Sequence, residues 1–255
     1  MGKPRMVVTD LDGTLLRDDK TLSEATLQVL RRLRRERILF VVATARPIRA
    51  VDGMIPGLRY DAGIFHNGAV ITEGGRRVAG WGIEKPDDLI RGILADRADC
   101  HVAVEVDDRL YANFDVDRIW RGIPYLPTSD FREMRAMTAD KIIIETDTLE
   151  KMAGYRPYLP ESLYLELSEH TIAMIMHRQA TKRQAVRLLA ERHGFGMEEV
   201  IAFGDDYNDI DLLRGCGCGV AVGNALEVVK EAADEVCETN ENDGVARWLA
   251  ERLDL

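Results

Sequence analysis

Short apolar runs alternate with amphipathic segments at both ends of the chain. Continuous apolar runs of this length are typical of strands that are buried on both faces of a sheet. The runs lie at residues 7–9, 38–43, 62–66, 200–203 and 219–222. Between them, residues 23–36 and 182–193 carry apolar side chains at helical spacing. The alternation predicts an α/β fold, with a doubly wound, mostly parallel, Rossmann-like sheet.

The middle of the chain follows a different pattern. Residues 101–114 and 163–176 each contain two segments of alternating polarity on either side of a short turn. Such hairpins are typical of an antiparallel sheet with one covered face. We therefore predict that residues 83–177 form an α+β unit, inserted into the α/β chain made by residues 1–82 and 178–255.

Composition and charge narrow the classes of function. The chain has 255 residues, of which 46% are hydrophobic, and this is enough to bury one large core or two smaller ones. No apolar run approaches the ~20 residues of a membrane span, and acidic residues interrupt the first run too early for a secretory signal. The net charge of −10 disfavours nucleic-acid binding. We expect a cytoplasmic protein, a monomer or homodimer, that binds neither membranes nor nucleic acid.

Chemically reactive side chains follow the predicted core strands. Ligands of open α/β sheets bind at the carboxyl ends of the strands, so we expect these side chains to meet at one edge. Lys182 begins the helix before the strand at residues 200–203. The other residues are Asp10 and Asp12 after the first strand, Thr44 and Arg46 after the second, Asn67 after the third, and Asp205, Asn208 and Asp209 after the fourth.

This combination of residues favours phosphoryl transfer with a metal ion. Converging carboxylates repel one another and need a cation, and ligands that are all oxygen suit a hard ion such as Mg²⁺. Asp10 is a candidate nucleophile that would form an aspartyl phosphate. In an extended segment Asp12 points the same way, so it is a candidate general acid and then base. Gly13 lets the chain turn away tightly.

The same residues resemble the motifs of the haloacid dehalogenase-like hydrolases, and within them the Cof-type phosphatases with a large α/β cap, subclass IIB. The four motifs of that family match Asp10-Leu11-Asp12-Gly13-Thr14, Thr44, Lys182, and Gly204-Asp205 with Asn208-Asp209, in this order. The resemblance implies a catalytic core of residues 1–82 and 178–255. It also implies a cap of residues 83–177 that closes over the site and selects the substrate.

The resemblance further implies a metal site. Asp10, the backbone carbonyl of Asp12, and Asp205 would hold Mg²⁺. Asp209 would support the metal through water or orient Lys182.

A second group of residues is predicted to bind the substrate. The resemblance implies that Thr44 and Lys182 bind the transferring phosphoryl group, with Asn208 nearby. Arg46 is a candidate contact to the phosphate or to the rest of the substrate, and it is equally suited to a structural ion pair. Asn67 is a candidate contact at the site, although an Asn-Gly pair also forms ordinary turns.

The sequence therefore predicts a phosphoric monoester hydrolase. It would be a Mg²⁺-dependent phosphatase of a small phosphorylated metabolite, such as a sugar phosphate, acting through an aspartyl phosphate. One alternative is a phosphomutase that returns the phosphoryl group to a sugar. Another is a non-enzymatic phospho-acceptor of signalling, which Asp12 argues against because a long-lived phosphoaspartate does not need a neighbouring general base.

Overall fold

The computed structural model describes residues 3–53, 55–168 and 171–253. The chain divides between Gly80 and Trp81, and again between Ala180 and Thr181. The residues before and after these divisions form one unit, called here the core unit, and those between them form the inserted unit. The sequence placed the boundaries at residues 82/83 and 177/178, close to both divisions. The functional assignment of the two units as catalytic core and cap stays a prediction.

The first segment of the core unit begins with a strand, a helix and a strand in the predicted order. Ser23 caps its helix, because its side chain accepts a hydrogen bond from the N–H of Thr26. Gly74 and Gly75 form the turn of a hairpin, since the two strands beside them pair antiparallel. The elements are β1 (Met6–Thr9), α1 (Glu24–Arg35), β2 (Leu39–Ala43), β3 (Ala62–Phe65), β4 (Val70–Glu73) and β5 (Arg76–Ala79).

The inserted unit is built on a six-stranded sheet and a separate two-stranded one. Its elements are β6 (Ile83–Glu84), α2 (Pro86–Asp96), β7 (Val102–Val106), β8 (Arg109–Ala112), β9 (Leu126–Pro127), β10 (Thr138–Ala139), β11 (Lys141–Glu145), α3 (Leu149–Ala153), β12 (Leu163–Ser168) and β13 (Ile172–His177). The six strands run in the order β12-β13-β11-β7-β8-β9, and β10 pairs with β6. Both predicted hairpins, β7 with β8 and β12 with β13, are confirmed as antiparallel pairs. The predicted turn of the second hairpin, Glu169-His170, lies outside the described residues.

One face of this sheet is covered by helices, but the open second face that the sequence predicts is not found. Ala103, Ile143 and Met174 lie on that second face of the three central strands, and they are buried as well. Alternate side chains of β7, β11 and β13 join residues of α2 and α3 in a single buried cluster. The cluster includes Val102, Val104, Val106, Ile142, Ile144, Ala173 and Ile175 from the strands, and Ile90, Ile93 and Met152 from the helices. Its hydrophobic contacts hold the inserted unit together.

The last segment completes the core unit. Its elements are α4 (Lys182–Arg192), β14 (Val200–Gly204), α5 (Ile210–Gly215), β15 (Cys218–Ala221), α6 (Glu227–Lys230), β16 (Glu235–Val236) and α7 (Gly244–Arg252). The eight strands of the core unit run in the order β16-β15-β14-β1-β2-β3-β4-β5, and all neighbours from β16 to β3 are parallel. The predicted fold class is confirmed. None of the described helices is long and apolar enough to cross a membrane.

Candidate active site

The central position of β1 brings distant parts of the sequence together. Thr9, the last residue of β1, is in register with Val42 of β2 and Phe203 of β14. The N–H of Asp10 then donates to the carbonyl of Phe203 at 3.1 Å. The loops that follow the three strands therefore begin side by side at the carboxyl edge of the sheet, where the sequence predicted a site.

Lys182 lies at the centre of a buried ionic cluster at this edge. Its Nζ donates to Oδ1 of Asp10 at 2.9 Å and to Oδ1 of Asp209 at 2.7 Å. The Lys182 side chain is only 1% exposed. Burial opposes the charged form of Lys182, but the two carboxylates outweigh it and raise its pKa. Thr181 fixes the first turn of α4, from which Lys182 extends, by accepting from the N–H of Gln184.

Asp209 organises the loop that follows β14. Its Oδ2 accepts hydrogen bonds from the N–H groups of Asp205 at 3.1 Å and Asp206 at 3.3 Å. The side chain lies so close to Gly204 that a Cβ there would come within 2.4 Å of the Asp209 Cβ. Asp209 thus contacts both Lys182 and this loop, and the two roles predicted for it, support of the metal and orientation of Lys182, stay predictions.

Three carboxylates converge around this lysine. Oxygen atoms of Asp10, Asp205 and Asp209 all lie within 4.8 Å of one another. Burial, together with the repulsion of neighbouring carboxylates, raises the pKa of Asp10 to about 7 and that of Asp205 to about 6. When all three carboxylates are ionised, they and the one ammonium leave two negative charges uncompensated, which is the charge that a divalent cation cancels. The donor set is all oxygen, so it fits Mg²⁺.

The loop after β1 passes close to the Asp205 carboxylate. The hydroxyl of Thr14 donates to Oδ1 of Asp205 at 2.5 Å. Gly13 has a φ of +74°, and a Cβ at this position would lie 2.5 Å from Oδ2 of Asp205. Only glycine combines this backbone conformation with this approach, so the Gly-Thr pair lets the two acidic loops share one site.

The Asp12 side chain has different partners from the Asp10 side chain. Nε and Nη2 of Arg46 donate to its two oxygens, each at 2.6 Å, and Nζ of Lys20 lies 2.8 Å from Oδ1. Burial opposes ionisation of Asp12, but the hydrogen bonds and charges of the two cations outweigh it and lower its pKa. The metal role predicted for Asp12 uses its backbone carbonyl, so its carboxyl stays available for proton transfer.

The remaining predicted residues are linked to one another across three loops. Thr44 is 2% exposed, its Oγ1 accepts from the N–H of Arg46 at 3.1 Å, and its carbonyl accepts from the N–H of Asn67 at 3.0 Å. Nδ2 of Asn208 donates to Oδ1 of Asn67 at 3.0 Å. These bonds tie together the loops after β2, β3 and β14, but they do not join Thr44, Asn67 or Asn208 directly to Lys182.

Sequence reasoning missed one charged residue of the site. Lys20 contacts Asp12, but it lies in an irregular loop where no periodicity marks a position. Its spacing from Asp12 also corresponds to no strand or helix repeat. Asn224, which was not among the predicted site residues, also contacts the loop after β1. Its Nδ2 donates to the carbonyl of Gly13 at 2.7 Å. The Gly-Asn-Ala sequence around Asn224 was the available signal.

Known proteins resemble this chain along its whole length. The haloacid dehalogenase-like hydrolase family matches residues 7–249. A 5-amino-6-(5-phospho-D-ribitylamino)uracil phosphatase of Bacillus subtilis is 30% identical over 271 residues, covering 99% of each chain. A pyridoxal phosphate phosphatase of Escherichia coli is 26% identical over 271 residues, covering 98% of each. The crystal structure of a haloacid dehalogenase-like hydrolase from Bacteroides thetaiotaomicron has a TM-score of 0.87 at 26% identity, covering 98% of this chain and 100% of that one.

These similarities span both the core unit and the inserted unit. The predicted resemblance to Cof-type phosphatases is confirmed. The predicted enzyme class, a phosphoric monoester hydrolase, is confirmed with it. The chain belongs to the family of haloacid dehalogenase-like hydrolases.

Proposed function

We propose that this protein is a Mg²⁺-dependent phosphatase that hydrolyses a small phosphorylated metabolite through an aspartyl phosphate on Asp10. The observation that carries the proposal is the convergence of the Asp10, Asp205 and Asp209 carboxylates, two of which, Asp10 and Asp209, pair with the buried ammonium of Lys182. Two relatives along the whole chain act on a phosphorylated uracil derivative and on pyridoxal phosphate. Both are small phosphate monoesters, which supports the same substrate class here, with sugar phosphates among the candidates.

The carboxylates would hold the metal ion. Asp10, Asp205 and the backbone carbonyl of Asp12 would be its protein ligands, and Asp209 would support the site from behind. When bound, Mg²⁺ offsets the charge of the carboxylates and of the phosphoryl oxygens. It thereby favours the ionised form of Asp10 that a nucleophile needs.

Asp10 would attack the phosphorus atom. An Asp10 oxygen forms a bond to phosphorus while the bond between phosphorus and the ester oxygen breaks. The Lys182 ammonium, 2.9 Å from Asp10, lies beside the transferring group and stabilises the charge on its oxygens. Thr44 accepts one hydrogen bond from the backbone, so its own O–H is available to donate to a phosphoryl oxygen.

Asp12 would move the protons of both half-reactions. It first gives a proton to the leaving oxygen, which departs as an alcohol. It then takes a proton from the water that attacks phosphorus, and phosphate leaves as the Asp10 carboxylate is restored. Arg46 and Lys20 favour the ionised form of Asp12, so the observed contacts suit its role as base. The role as acid requires that substrate binding weakens at least one of them.

The test is phosphate release from a panel of phosphorylated sugars, nucleotides, cofactors and short organic acids. Each assay would be run with Mg²⁺ and with EDTA, and repeated for Asp10→Asn. Asp206→Asn is a matched control, because Asp206 is a neighbouring carboxylate that caps a turn by accepting from the N–H of Tyr207. We expect release that needs both Mg²⁺ and Asp10 and that survives in the control.

Three other outcomes would contradict the proposal. Release that persists in EDTA or in Asp10→Asn would exclude the mechanism. Conversion of a sugar phosphate to its isomer without free phosphate would favour a mutase. A stable acyl phosphate on Asp10 without turnover would favour a phospho-acceptor.

A further inference from the structure

Lys20 is held on a strained turn in the loop after β1. Its N–H donates to the carbonyl of Arg17 at 2.8 Å, and the N–H of Arg17 donates to the carbonyl of Thr21 at 3.1 Å. The φ of Lys20 is +65°, a left-handed conformation that side chains other than glycine rarely adopt. Such a conformation persists only where the surrounding structure fixes it.

The segment before α7 fixes this turn. Nδ2 of Asn240 donates to the carbonyl of Leu16 and to Oδ1 of Asp18, each at 3.0 Å. The N–H of Asp18 donates to Oε1 of Glu241 at 2.7 Å, and Arg17 pairs with a carboxylate of the same segment. Residues from a distant part of the sequence thus hold the turn that carries Lys20, and they fix the position of the Lys20 ammonium.

The Lys20 ammonium lies beside the Asp12 carboxylate, but Asp12 does not depend on it for a cationic partner. Arg46 already donates to both oxygens of Asp12. Among the described residues, Asp12 is the polar partner of the Lys20 ammonium, so two of its three N–H groups can bind something else. The Lys20 side chain is 51% exposed, whereas that of Lys182 is 1% exposed, so a substrate can reach Lys20.

Charge also distinguishes this side of the site. Lys20 and Arg46 bring two positive charges to one carboxylate, which leaves a single positive charge. The cluster around Lys182 has the opposite sign. In the proposed reaction the Asp12 carboxyl donates a proton to the ester oxygen. Lys20, which contacts that carboxyl, therefore lies beside the first atoms of the leaving alcohol.

We propose that Lys20 is a substrate-binding residue that pairs with a carboxylate on the leaving alcohol. The single positive charge on this side of the site matches the single negative charge of a carboxylate. The enzyme would then prefer phosphate monoesters whose alcohol carries a carboxylate next to the ester oxygen. This inference rests on the proposed function and adds the chemical class of the substrate to it.

The test compares two esters of nearly equal size, 2-phosphoglycolate and its uncharged amide, 2-phosphoglycolamide. Wild type should show the higher kcat/KM on the carboxylate. Lys20→Gln should lower kcat/KM on 2-phosphoglycolate ~10-fold or more, mainly through KM, because a charge-assisted hydrogen bond is lost. It should change the amide reaction less than ~3-fold, since no such bond is lost there. Lys20→Arg should restore much of the loss.

Lys3→Gln is the matched control, because Lys3 is likewise exposed, at 63%, and likewise pairs with a carboxylate, that of Glu36. Lys3 precedes the first residue of β1, at the end of the strand opposite to the site. It should leave both reactions unchanged. Equal losses on both esters in Lys20→Gln, or a fall in kcat alone, would overturn the proposal and make Lys20 a positioning residue of Asp12. Wild type that prefers the amide would also overturn it, without any variant. Failure of the proposed function is distinct: wild type would then release phosphate from no ester at all.

Discussion

The carboxylates around Lys182 should make the metal-free protein less stable as the pH rises. Burial, reinforced by neighbouring carboxylates, raises the pKa of Asp10 from 3.8 to about 7 on folding. Between these two pH values the unfolded chain releases a proton that the folded chain keeps, so a rising pH favours unfolding. The stability that this proton provides is fully present below about pH 4 and is lost by about pH 7.

The expected size of the loss follows from the shift. Roughly 3 pKa units at about 1.4 kcal/mol per unit give a loss of about 4 kcal/mol in the free energy of unfolding. The pKa of Asp205 moves in the same direction, but its carboxylate is partly exposed, so solvent screening reduces its share. Mg²⁺ binds the ionised carboxylates, so it should stabilise the protein more at pH 8 than at pH 5.

The assay is urea unfolding at pH 5 and pH 8, in EDTA and in Mg²⁺. Asp10→Asn is measured beside wild type, because it removes this titration and leaves the histidines and the other groups outside the cluster unchanged. The difference between wild type and the variant then isolates Asp10 together with its charge interactions with Lys182, Asp205 and Asp209. A metal-free difference that does not change between the two pH values would refute the reasoning, and so would equal stabilisation by Mg²⁺ at both.

Three further substitutions, one of them with a matched control, test other parts of the structure. Lys182→Met leaves two buried carboxylates without their partner, so it should lower the free energy of unfolding by about 3–5 kcal/mol and abolish phosphate release; near-wild-type stability in urea would contradict the buried pairing. Gly13→Ala puts a Cβ on a residue with left-handed backbone, against the Asp205 carboxylate. Calorimetry should therefore show weaker Mg²⁺ binding, and unchanged binding would contradict the close approach of Gly13 to Asp205. Phe131→Ala should destabilise the inserted unit by about 3–5 kcal/mol in thermal unfolding, whereas Leu149→Ala, at a 66% exposed position, should change it by less than about 0.5 kcal/mol.

The sequence predicts the sheet edge well because its signals are local. Continuous apolar runs define buried parallel strands, and every functional side chain except Lys182, which begins a helix, follows such a run closely. The predicted partners of Asp10 are therefore found at this edge, with Lys182 and Asp209 joined to it in one ionic cluster. This prediction does not depend on the order of the strands, because parallel strands have their carboxyl ends at the same edge of the sheet.

Short helices were harder to predict. The sequence predicts a helix over residues 149–158, but α3 ends at Ala153 and a separate 3₁₀ turn spans Arg156–Tyr158. Gly154 directly after α3 and Pro157 in the next turn break the helical hydrogen bonds. The helix predicted over residues 225–232 is likewise reduced to α6, whose N-cap is Leu226. The N–H groups of Ala225 and Leu226 donate to the carbonyls of Val222 and Asp205, outside the helix.

The contacts of Asp12 could not be predicted, because they depend on loops. Arg46 was a candidate for either substrate or ion pairing, and the structure pairs it with Asp12. Lys20 reaches the same carboxylate only because residues from the segment before α7 fix its turn. Contacts of this kind join residues more than 200 positions apart and leave no periodic pattern in the sequence.

The central position of β1 also sets the time at which a newly made chain becomes active. Asp10 and Thr44 leave the ribosome early, whereas Lys182, Asp205 and Asp209 are among the last residues of the site to be translated. About 200 residues separate Asp10 from Asp205, which corresponds to roughly 10–40 s of translation. Until β14 emerges, one edge of β1 lacks its partner and the nucleophile lacks its lysine. Incomplete chains are therefore expected to be inactive and to need protection from edge-to-edge aggregation.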